Sequence, residues 1–332
     1  MLPITLFAAG AVALSLGFGT GTANAAPPPS APPGFSGGQY TTGGGETVTV
    51  FSSQAYASDP TSNQTWADFL GSMPHGPELS RLTVYLAPIA QVQNVCGLGA
   101  LGCYSPEEEA IFASGDDVPG VITAKSIIAH EYGHHIEHNR SNPPFDSDNY
   151  GPKRWASLLN ICAGAQGGTI FPGDEGVNYK LNPAEIFAED YRTLVERTLG
   201  LAPSGWGVVD PSFVPSDAIL AAVQQDVVEP WTGNTTTSFS GRFAKGRVTA
   251  RSLRLATPLD GTLRLTLRAP ARSEYDLRIF DQTGRTLLAQ TVLGSSARVK
   301  TLGYSICGQR SLLVRVRRAS GSGPFTLSIS TP

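Results

Sequence analysis

The stretch IIAHEYGHHIEH, residues 127–138, holds four of the five histidines in this chain of 332 residues. Residues 121–140 around it contain no proline and a single glycine, which is typical of a helix, and Thr123 can cap that helix. On a helix, His130 and His134 lie on one face because they are four positions apart. We therefore predict that both imidazoles bind one metal ion.

The order His-Glu-x-x-His supplies two zinc ligands and a general base. Zinc prefers neutral imidazoles in a tetrahedral array and lowers the pKa of a water bound to it, and Glu131 is the predicted acceptor of that water's proton. A pattern of five residues also arises by chance. A third ligand is therefore needed to identify it as a metal site. His138 lies a further helical turn away and His135 points away from the pair. We interpret both as solvated or as outer partners of the site.

A second helix is predicted over residues 180–200, KLNPAEIFAEDYRTLVERTLG. Asn182 is its predicted N-cap, and Gly200 ends it. Glu185 and Glu189 are four apart and share a face, so either could complete the metal site. The spacing Asn182-x-x-Glu185 is also that of a capping box, in which Glu185 would bond back to the helix start and Glu189 would be the ligand.

The words HEYGH and NPAEIFAED resemble the gluzincin metallopeptidases, and locally the catalytic domain of anthrax lethal factor. This resemblance covers about residues 127–192 and implies an α+β, zincin-like metallopeptidase domain with one catalytic zinc. It makes Glu185 the third ligand and Glu189 the carboxylate that orients His130. It also suggests Tyr179 as the group that stabilises the oxyanion, with a packed or surface tyrosine as the alternative.

The sequence after the turn-rich residues 232–241 is strand-like throughout. TLRLTLRA and LVRVRR alternate apolar with polar side chains, as half-buried strands do. SEYDLRIFDQTGRTLLAQT and GPFTLSIS resemble the bacterial pre-peptidase C-terminal domain, which implies an all-β, jelly-roll-like sandwich. The predicted organisation is a metallopeptidase domain over 47–232, a linker over 233–240 and the β-sandwich over 241–332.

Charge follows the same boundary. Residues 236–332 hold 16 Lys and Arg against 4 Asp and Glu, although the net charge of the whole chain is only −3. Arg264, Arg268, Arg315 and Arg317 alternate with apolar residues, so we predict that they form one positive stripe on the outer face of the sandwich. This stripe could contact the acidic front domain, or an anionic cell surface or polysaccharide. The small net charge predicts no nucleic-acid partner.

The N-terminus predicts export. Residues 3–18 are apolar, and Ala23-Asn24-Ala25 offers small residues for the cleavage of a signal peptide over 1–25. An uncleaved membrane anchor is the alternative. Residues 26–46 are rich in Pro, Gly and Ser and are predicted to be a flexible linker. We expect the mature protein to be secreted or exposed in the cell wall, and to be a monomer.

The cysteines fit an exported protein. An even count of 4 in an oxidising compartment favours disulfides over metal thiolates. Cys96 and Cys103 bracket a short loop and are predicted to pair, which leaves Cys162 and Cys307 to join the two domains. Acidic clusters elsewhere could bind calcium, but they match no complete calcium-loop pattern.

The resemblance to gluzincins implies a secreted zinc-dependent endopeptidase that hydrolyses peptide bonds through a zinc-bound water activated by Glu131. Its substrate would be a protein or peptide that pairs with an edge strand of the domain, and AIFASG at 110–115 is the candidate strand. An ordinary core strand is the other interpretation of that segment. The alternative function is a catalytically inactive metal-binding or adhesion protein whose β-sandwich binds a surface or polysaccharide.

Overall fold

The computed structural model describes residues 30–57, 59, 61–205, 207–246, 248–292, 294 and 297–332. The predicted signal peptide lies outside these residues. None of the helices in the described part is long and apolar enough to cross a membrane. Two separate hydrophobic cores organise the chain, one drawn from residues 48–227 and the other from residues 243–329.

The N-terminal unit, residues 35–228, combines one sheet with helices and short 3-10 turns. Its strands are β1 Phe35–Thr41, β2 Thr47–Ser53, β3 Thr83–Ala87, β4 Gly102–Ser105 and β5 Ala110–Ser114. Its α-helices are α1 Ser62–Ser72, α2 Ile89–Cys96, α3 Ala124–His138, α4 Ser147–Tyr150, α5 Lys153–Leu158, α6 Ile161–Gln166, α7 Pro183–Leu199 and α8 Asp217–Val228. The 3-10 turns are Pro77–Arg81, Tyr179–Leu181 and Pro211–Phe213.

The five strands form one sheet in the order β1-β2-β3-β5-β4. Strands β2, β3 and β5 are parallel, and the edge strands β1 and β4 are antiparallel to their neighbours. Strand β1 corrects the predicted linker over 26–46, which is wrong from Phe35 onward. Gly37 of this strand permits close packing, because a Cβ at this position would lie 2.2 Å from the carbonyl oxygen of Val50.

Helices α3 and α7 begin and end where their sequences predict. The Thr123 side chain accepts a hydrogen bond from the backbone N–H of Ser126, and the Asn182 side chain accepts one from Ala184. The two helices touch where a Cβ at Gly133 would lie 2.7 Å from the Cα of Ala188. Because glycine permits this close approach, one face of α3 lies directly against one face of α7.

The C-terminal unit, residues 235–331, is a β-sandwich of two four-stranded antiparallel sheets. One sheet has the order β10-β9-β12-β7 and the other has the order β11-β8-β13-β6. The apolar residues of each inner face form the second core. The strands are β6 Thr235–Phe243, β7 Ala250–Thr257, β8 Gly261–Arg268, β9 Glu274–Asp281, β10 Leu287–Gln290, β11 Val299–Ile306, β12 Arg310–Ser320 and β13 Gly323–Thr331.

Strand β6 corrects the predicted linker over 233–240, because the strand begins at Thr235. Its first four residues are all exposed, so they lack the alternation of apolar and polar residues that reveals a strand in a sequence. The strand lies at the edge of its sheet, where one neighbour, β13, supplies the backbone hydrogen bonds. The sandwich therefore starts within the segment predicted to connect the domains.

Both predicted disulfides are formed. Cys96 pairs with Cys103 inside the N-terminal unit, and Cys162 of α6 pairs with Cys307, which follows β11 in the C-terminal unit. Disulfides of this kind are typical of proteins in oxidising compartments. The bridge between the units fixes the loop after β11 against the N-terminal unit.

Hydrogen bonds reinforce this junction at the same end of the sandwich. The Lys153 side chain is buried, and its Nζ donates to the carbonyl oxygen of Asp260 at 3.0 Å. The backbone N–H of Asp260 donates to the Ser157 hydroxyl at 2.9 Å. The sandwich therefore meets the N-terminal unit through its loops, and the residues that form these bonds do not belong to the predicted arginine stripe.

The predicted stripe of four arginines is wrong, because its members belong to different sheets. Arg264 and Arg268 lie on β8, whereas Arg315 and Arg317 lie on β12 of the opposite sheet. Each pair alternates with residues of the inner core and so faces outward on its own sheet. The two pairs consequently lie on opposite faces of the sandwich.

Candidate metal centre

The structure brings His130 and His134 of α3 together with Glu185 of α7. Nε2 of His130 lies 3.3 Å from Oε2 of Glu185, and Nε2 of His134 lies 3.5 Å from Oε1 of the same carboxylate. Ligands at about 2.0–2.1 Å from a tetrahedral zinc ion are separated from one another by roughly 3.4 Å. Both distances to Glu185 match that spacing, and the ligand atoms of the three side chains lie within 4.8 Å of one another. They are the one His/Cys/Asp/Glu group within the described residues that could hold a metal ion.

The contact between α3 and α7 produces this convergence. His130 and His134 lie one turn apart on α3, and Gly133 between them packs against Ala188 of α7. Glu185 lies about one turn before Ala188 and faces the two imidazoles. The alternative capping box does not form, because the backbone N–H of Asn182 donates to the carbonyl oxygen of Tyr179 and the Glu185 carboxylate faces the two imidazoles.

A second carboxylate lies behind each imidazole. Oε2 of Glu189 lies 3.3 Å from Nδ1 of His130, in the position predicted for the residue that orients this histidine. Oε2 of Glu137 lies 3.3 Å from Nδ1 of His134. In both rings the Nδ1 atom is thereby engaged and Nε2 faces Glu185, which is the orientation that an outer carboxylate gives to a metal-binding histidine.

Glu137 is the contact that the sequence analysis missed. It is 1% exposed, and its second oxygen, Oε1, has no hydrogen-bond partner among the described residues. Burial is the largest of the causes that raise its pKa well above the usual value. The available signal was its position three residues after His134, which places both on one side of α3.

Arg192 anchors the outer carboxylate on the α7 side. Its guanidinium donates from Nε to Glu189 and from Nη1 to Oε1 of Glu196 at 2.7 Å. The Ser126 hydroxyl on α3 donates to the same Glu196 oxygen at 2.7 Å. All of these groups are buried, so the network ties the two helices together and holds Glu189 behind His130.

The ionisable groups of the centre have strongly displaced pKa values. Burial lowers the pKa of His134 to about 4 and raises that of Glu131 to about 7. Burial also opposes the charged forms of His130 and Glu185, but their mutual attraction prevails. The hydrogen bonds to Glu185 and Glu189 raise the pKa of His130 to about 10. Attraction to His134 and His130, together with hydrogen bonds from His130 and Tyr179, holds the pKa of Glu185 at about 2.

Strand β4 forms the wall beside Glu131. A Cβ added to Gly102 would lie 2.8 Å from Oε1 of Glu131, so the β4 backbone passes directly alongside this carboxylate. The segment AIFASG is strand β5, which β3 and β4 flank on both sides. The edge-strand interpretation of that segment is therefore wrong, and the core-strand interpretation is correct.

Tyr179 reaches the centre from the 3-10 turn before α7. Its hydroxyl donates to Oε2 of Glu185 at 2.5 Å. Burial is the largest cause of its raised pKa, and the charge of Glu185 raises it further. The phenol therefore stays protonated and can donate a hydrogen bond beside the metal ligands, and the side chain lines the same cleft as Glu131.

The remaining aromatic groups of the motif have structural contacts. His135 is fully buried, and its two ring nitrogens contact the Tyr104 hydroxyl and the Glu78 carbonyl oxygen. The interpretation of His135 as solvated is thus wrong, since the ring packs within the unit. His138 lies at the rim of the cleft near Asp148, and the Tyr132 side chain is fully buried.

The centre opens into a cleft of about 380 Å³. The cleft runs between β4 and the start of α7, and the disulfide between Cys96 and Cys103 forms part of its wall. His130, Glu131 and His134 all line it, so a ligand in the cleft would contact Glu131 and the candidate metal ligands together. This arrangement can hold a metal ion next to a carboxylate that accepts protons.

No protein-family model and no curated protein sequence matches the chain. Among solved structures, it is similar to the pre-peptidase C-terminal domain of collagenase from Bacillus anthracis, with 10% identity and a TM-score of 0.24 over 28% of this chain and 88% of that chain. It is also similar to a Yersinia pseudotuberculosis-derived mitogen, with 11% identity and a TM-score of 0.23 over 30% of this chain and 87% of that one. TM-scores this low say nothing about the function of the chain. The proposed function therefore rests on the candidate metal centre.

Proposed function

We propose that the protein is a secreted zinc-dependent endopeptidase with a zincin-like catalytic domain. The observation that carries this proposal is the convergence of His130, His134 and Glu185 beside Glu131 in an open cleft. Three protein ligands with room for a further one are typical of a catalytic zinc site, whereas a structural site is closed by four. The two disulfides are consistent with export.

Zinc, when bound by these three residues, supplies a Lewis acid that polarises a carbonyl group and lowers the pKa of water. Glu131 has a pKa near neutrality because it is buried, which suits a group that both accepts and releases protons. We assign to its carboxylate the acceptance of the proton from the attacking water and the transfer of that proton to the leaving amine. The Tyr179 hydroxyl would donate to the oxyanion.

An extended peptide is the substrate that the cleft suits best. Strand β4 is the sheet edge that borders the centre, and one side of its backbone is not paired with another strand of the described sheet. A peptide added to this edge would be recognised through main-chain hydrogen bonds, with little demand on its sequence. Because Gly102 has no side chain, such a peptide could lie close to Glu131.

The direct test is metal analysis and proteolysis with the purified full chain. We expect one zinc ion per chain, hydrolysis of casein, loss of that hydrolysis with a chelator, and recovery when zinc is restored. Peptide products would identify the cleaved bonds. Bound zinc with no hydrolysis of casein or of a mixed peptide library would contradict the endopeptidase and favour an inactive metal-binding protein.

Tyr179→Phe tests the assigned hydroxyl. We expect kcat to fall by about 10²–10³-fold, as happens when one oxyanion donor is removed, while zinc affinity changes far less. Steady-state kinetics at saturating zinc, together with zinc titration, separates the two effects. Tyr150→Phe is the matched control, because that ring packs on Phe145 and does not line the cleft. Weaker zinc binding with unchanged kcat would mean that Tyr179 only supports Glu185.

A further inference from the structure

Four arginines of the C-terminal unit lie together on the outer face of the sheet β10-β9-β12-β7. We call Arg254, Arg278, Arg315 and Arg317 the arginine face. They belong to β7, β9 and β12, which are neighbours in the sheet. The sequence analysis grouped Arg315 and Arg317 with Arg264 and Arg268. Only the strand order shows that they lie beside Arg254 and Arg278.

The strand register places these side chains close together. Arg315 pairs directly with Arg278, while Arg254 pairs with Leu313, two positions along β12 from Arg315. Side chains of directly paired residues are about 5 Å apart at Cβ and diagonal neighbours about 7 Å apart. Like charges in direct opposition destabilise a sheet, so stability alone does not account for this arrangement.

The nearest carboxylate in the strand register, that of Asp276, does not neutralise the charge of the arginine face. Asp276 pairs in register with Arg317, but it is 1% exposed and its Oδ1 lies 3.0 Å from Nζ of Lys300. No ion pair joins the arginine face to a carboxylate within the described residues. Nε of Arg278 is buried and has no hydrogen-bond partner there. The face therefore carries uncompensated positive charge.

Apolar side chains also lie between these charges: Leu313 is half-buried, and Phe280 is buried beneath Arg315. The guanidinium of Arg315 stacks over the Phe280 ring at 4.6 Å and its Nε donates to the Ser252 hydroxyl at 3.1 Å. The register aligns Arg254, Leu313 and Phe280 in one row across β7, β12 and β9. A row of guanidinium groups across three neighbouring strands suits a polymer that bears anionic groups at intervals, because guanidinium groups form strong hydrogen bonds to anionic oxygens.

We propose that the arginine face binds an anionic polysaccharide. Among the described residues, the hydrogen bonds and the disulfide from the N-terminal unit reach the sandwich at Asp260 and Cys307, at one end, so that unit does not supply the counter-charge. Charge complementarity and the spread of the arginines over three neighbouring strands favour a linear polymer with carboxylate or sulfate groups. This proposal is independent of the zinc centre and would direct the protein to a surface rich in such a polymer.

The test uses the intact chain and heparin, a sulfated and carboxylated polysaccharide, as the probe. The face variant is Arg254→Gln with Arg317→Gln, and both of these residues are exposed. The matched control is Arg264→Gln with Arg268→Gln, which removes the same charge from the exposed opposite face. We expect the heparin Kd of the face variant to rise roughly 10-fold, and that of the control less than about 2-fold, at about 0.1 M salt.

Binding should weaken steeply as salt rises to about 1 M, where the Debye length falls to about 3 Å. Equal weakening by both variants would overturn the assignment to this face, because net charge alone would then account for binding. No binding of the intact chain to heparin at about 0.1 M salt would overturn the proposal outright. Tighter binding to polyphosphate than to heparin would overturn the choice of a polysaccharide.

Discussion

Replacement of Glu131 by glutamine is expected to abolish peptide hydrolysis while zinc stays bound. The carboxylate lines the cleft beside the three candidate ligands but is not one of them. Glutamine has the same shape and cannot accept the proton of the attacking water. General-base help is worth about 10²–10⁴-fold in rate, so we expect kcat/KM to fall by at least that range.

The measurement pairs casein or peptide hydrolysis with the zinc content of the same preparation. Glu107→Gln, an exposed carboxylate in the turn after β4, is the control for the loss of one negative charge and should keep full activity. Thermal unfolding should show that both variants fold. Near-normal turnover by the Glu131 variant would exclude this residue as the base and, with it, the proposed mechanism.

The second large effect is expected for zinc affinity when the two carboxylates of α7 are compared. Glu185→Gln removes the charge that faces both Nε2 atoms, whereas Glu189→Gln removes a charge that faces Nδ1 of His130 and the Arg192 guanidinium. Outer partners typically contribute about 10–100-fold to metal affinity, so Glu189→Gln should weaken zinc within that range. Glu185→Gln should weaken it further.

Glutamine is preferred to alanine at Glu189 because Arg192 is buried beside it. Truncation would remove one of the two carboxylates that pair with that guanidinium, Glu196 being the other, and breaking a buried ion pair costs about 3–5 kcal/mol of stability. Zinc Kd values come from competition with a chromophoric chelator, and unfolding measurements control for stability. The reverse order of affinities would assign the metal to Glu189 and make Glu185 an accessory group.

Much of the local structure around the centre could be predicted from the sequence. The limits of α3 and α7 follow from Thr123, Asn182 and Gly200, which act on the backbone within one helical turn. The pairing of His130 with His134 on one face follows from helical geometry alone. The apolar alternation in β8 and β12 likewise identified half-buried strands.

The choice between Glu185 and Glu189 required the tertiary structure. Both lie on the same face of α7, and the sequence also allowed Glu185 to cap its own helix. The close approach of Gly133 to Ala188 sets the depth and direction at which the helices meet, and this places Glu185 opposite the Nε2 atoms. The role of Glu137 could not be predicted for a related reason: only the packing of the folded unit buries its carboxylate behind His134.

The sequence by itself determined what depends on neighbours along the chain: the helix caps, the shared face of the two histidines, and the inward and outward sides of β8 and β12. The tertiary structure decided what depends on how separate elements meet. It made β4, and not β5, the edge beside the centre, and it placed Arg264 and Arg315 on opposite faces of the sandwich. Alternation tells which side of a strand faces the core, but strand order decides which sheet the strand joins and so which residues share a surface.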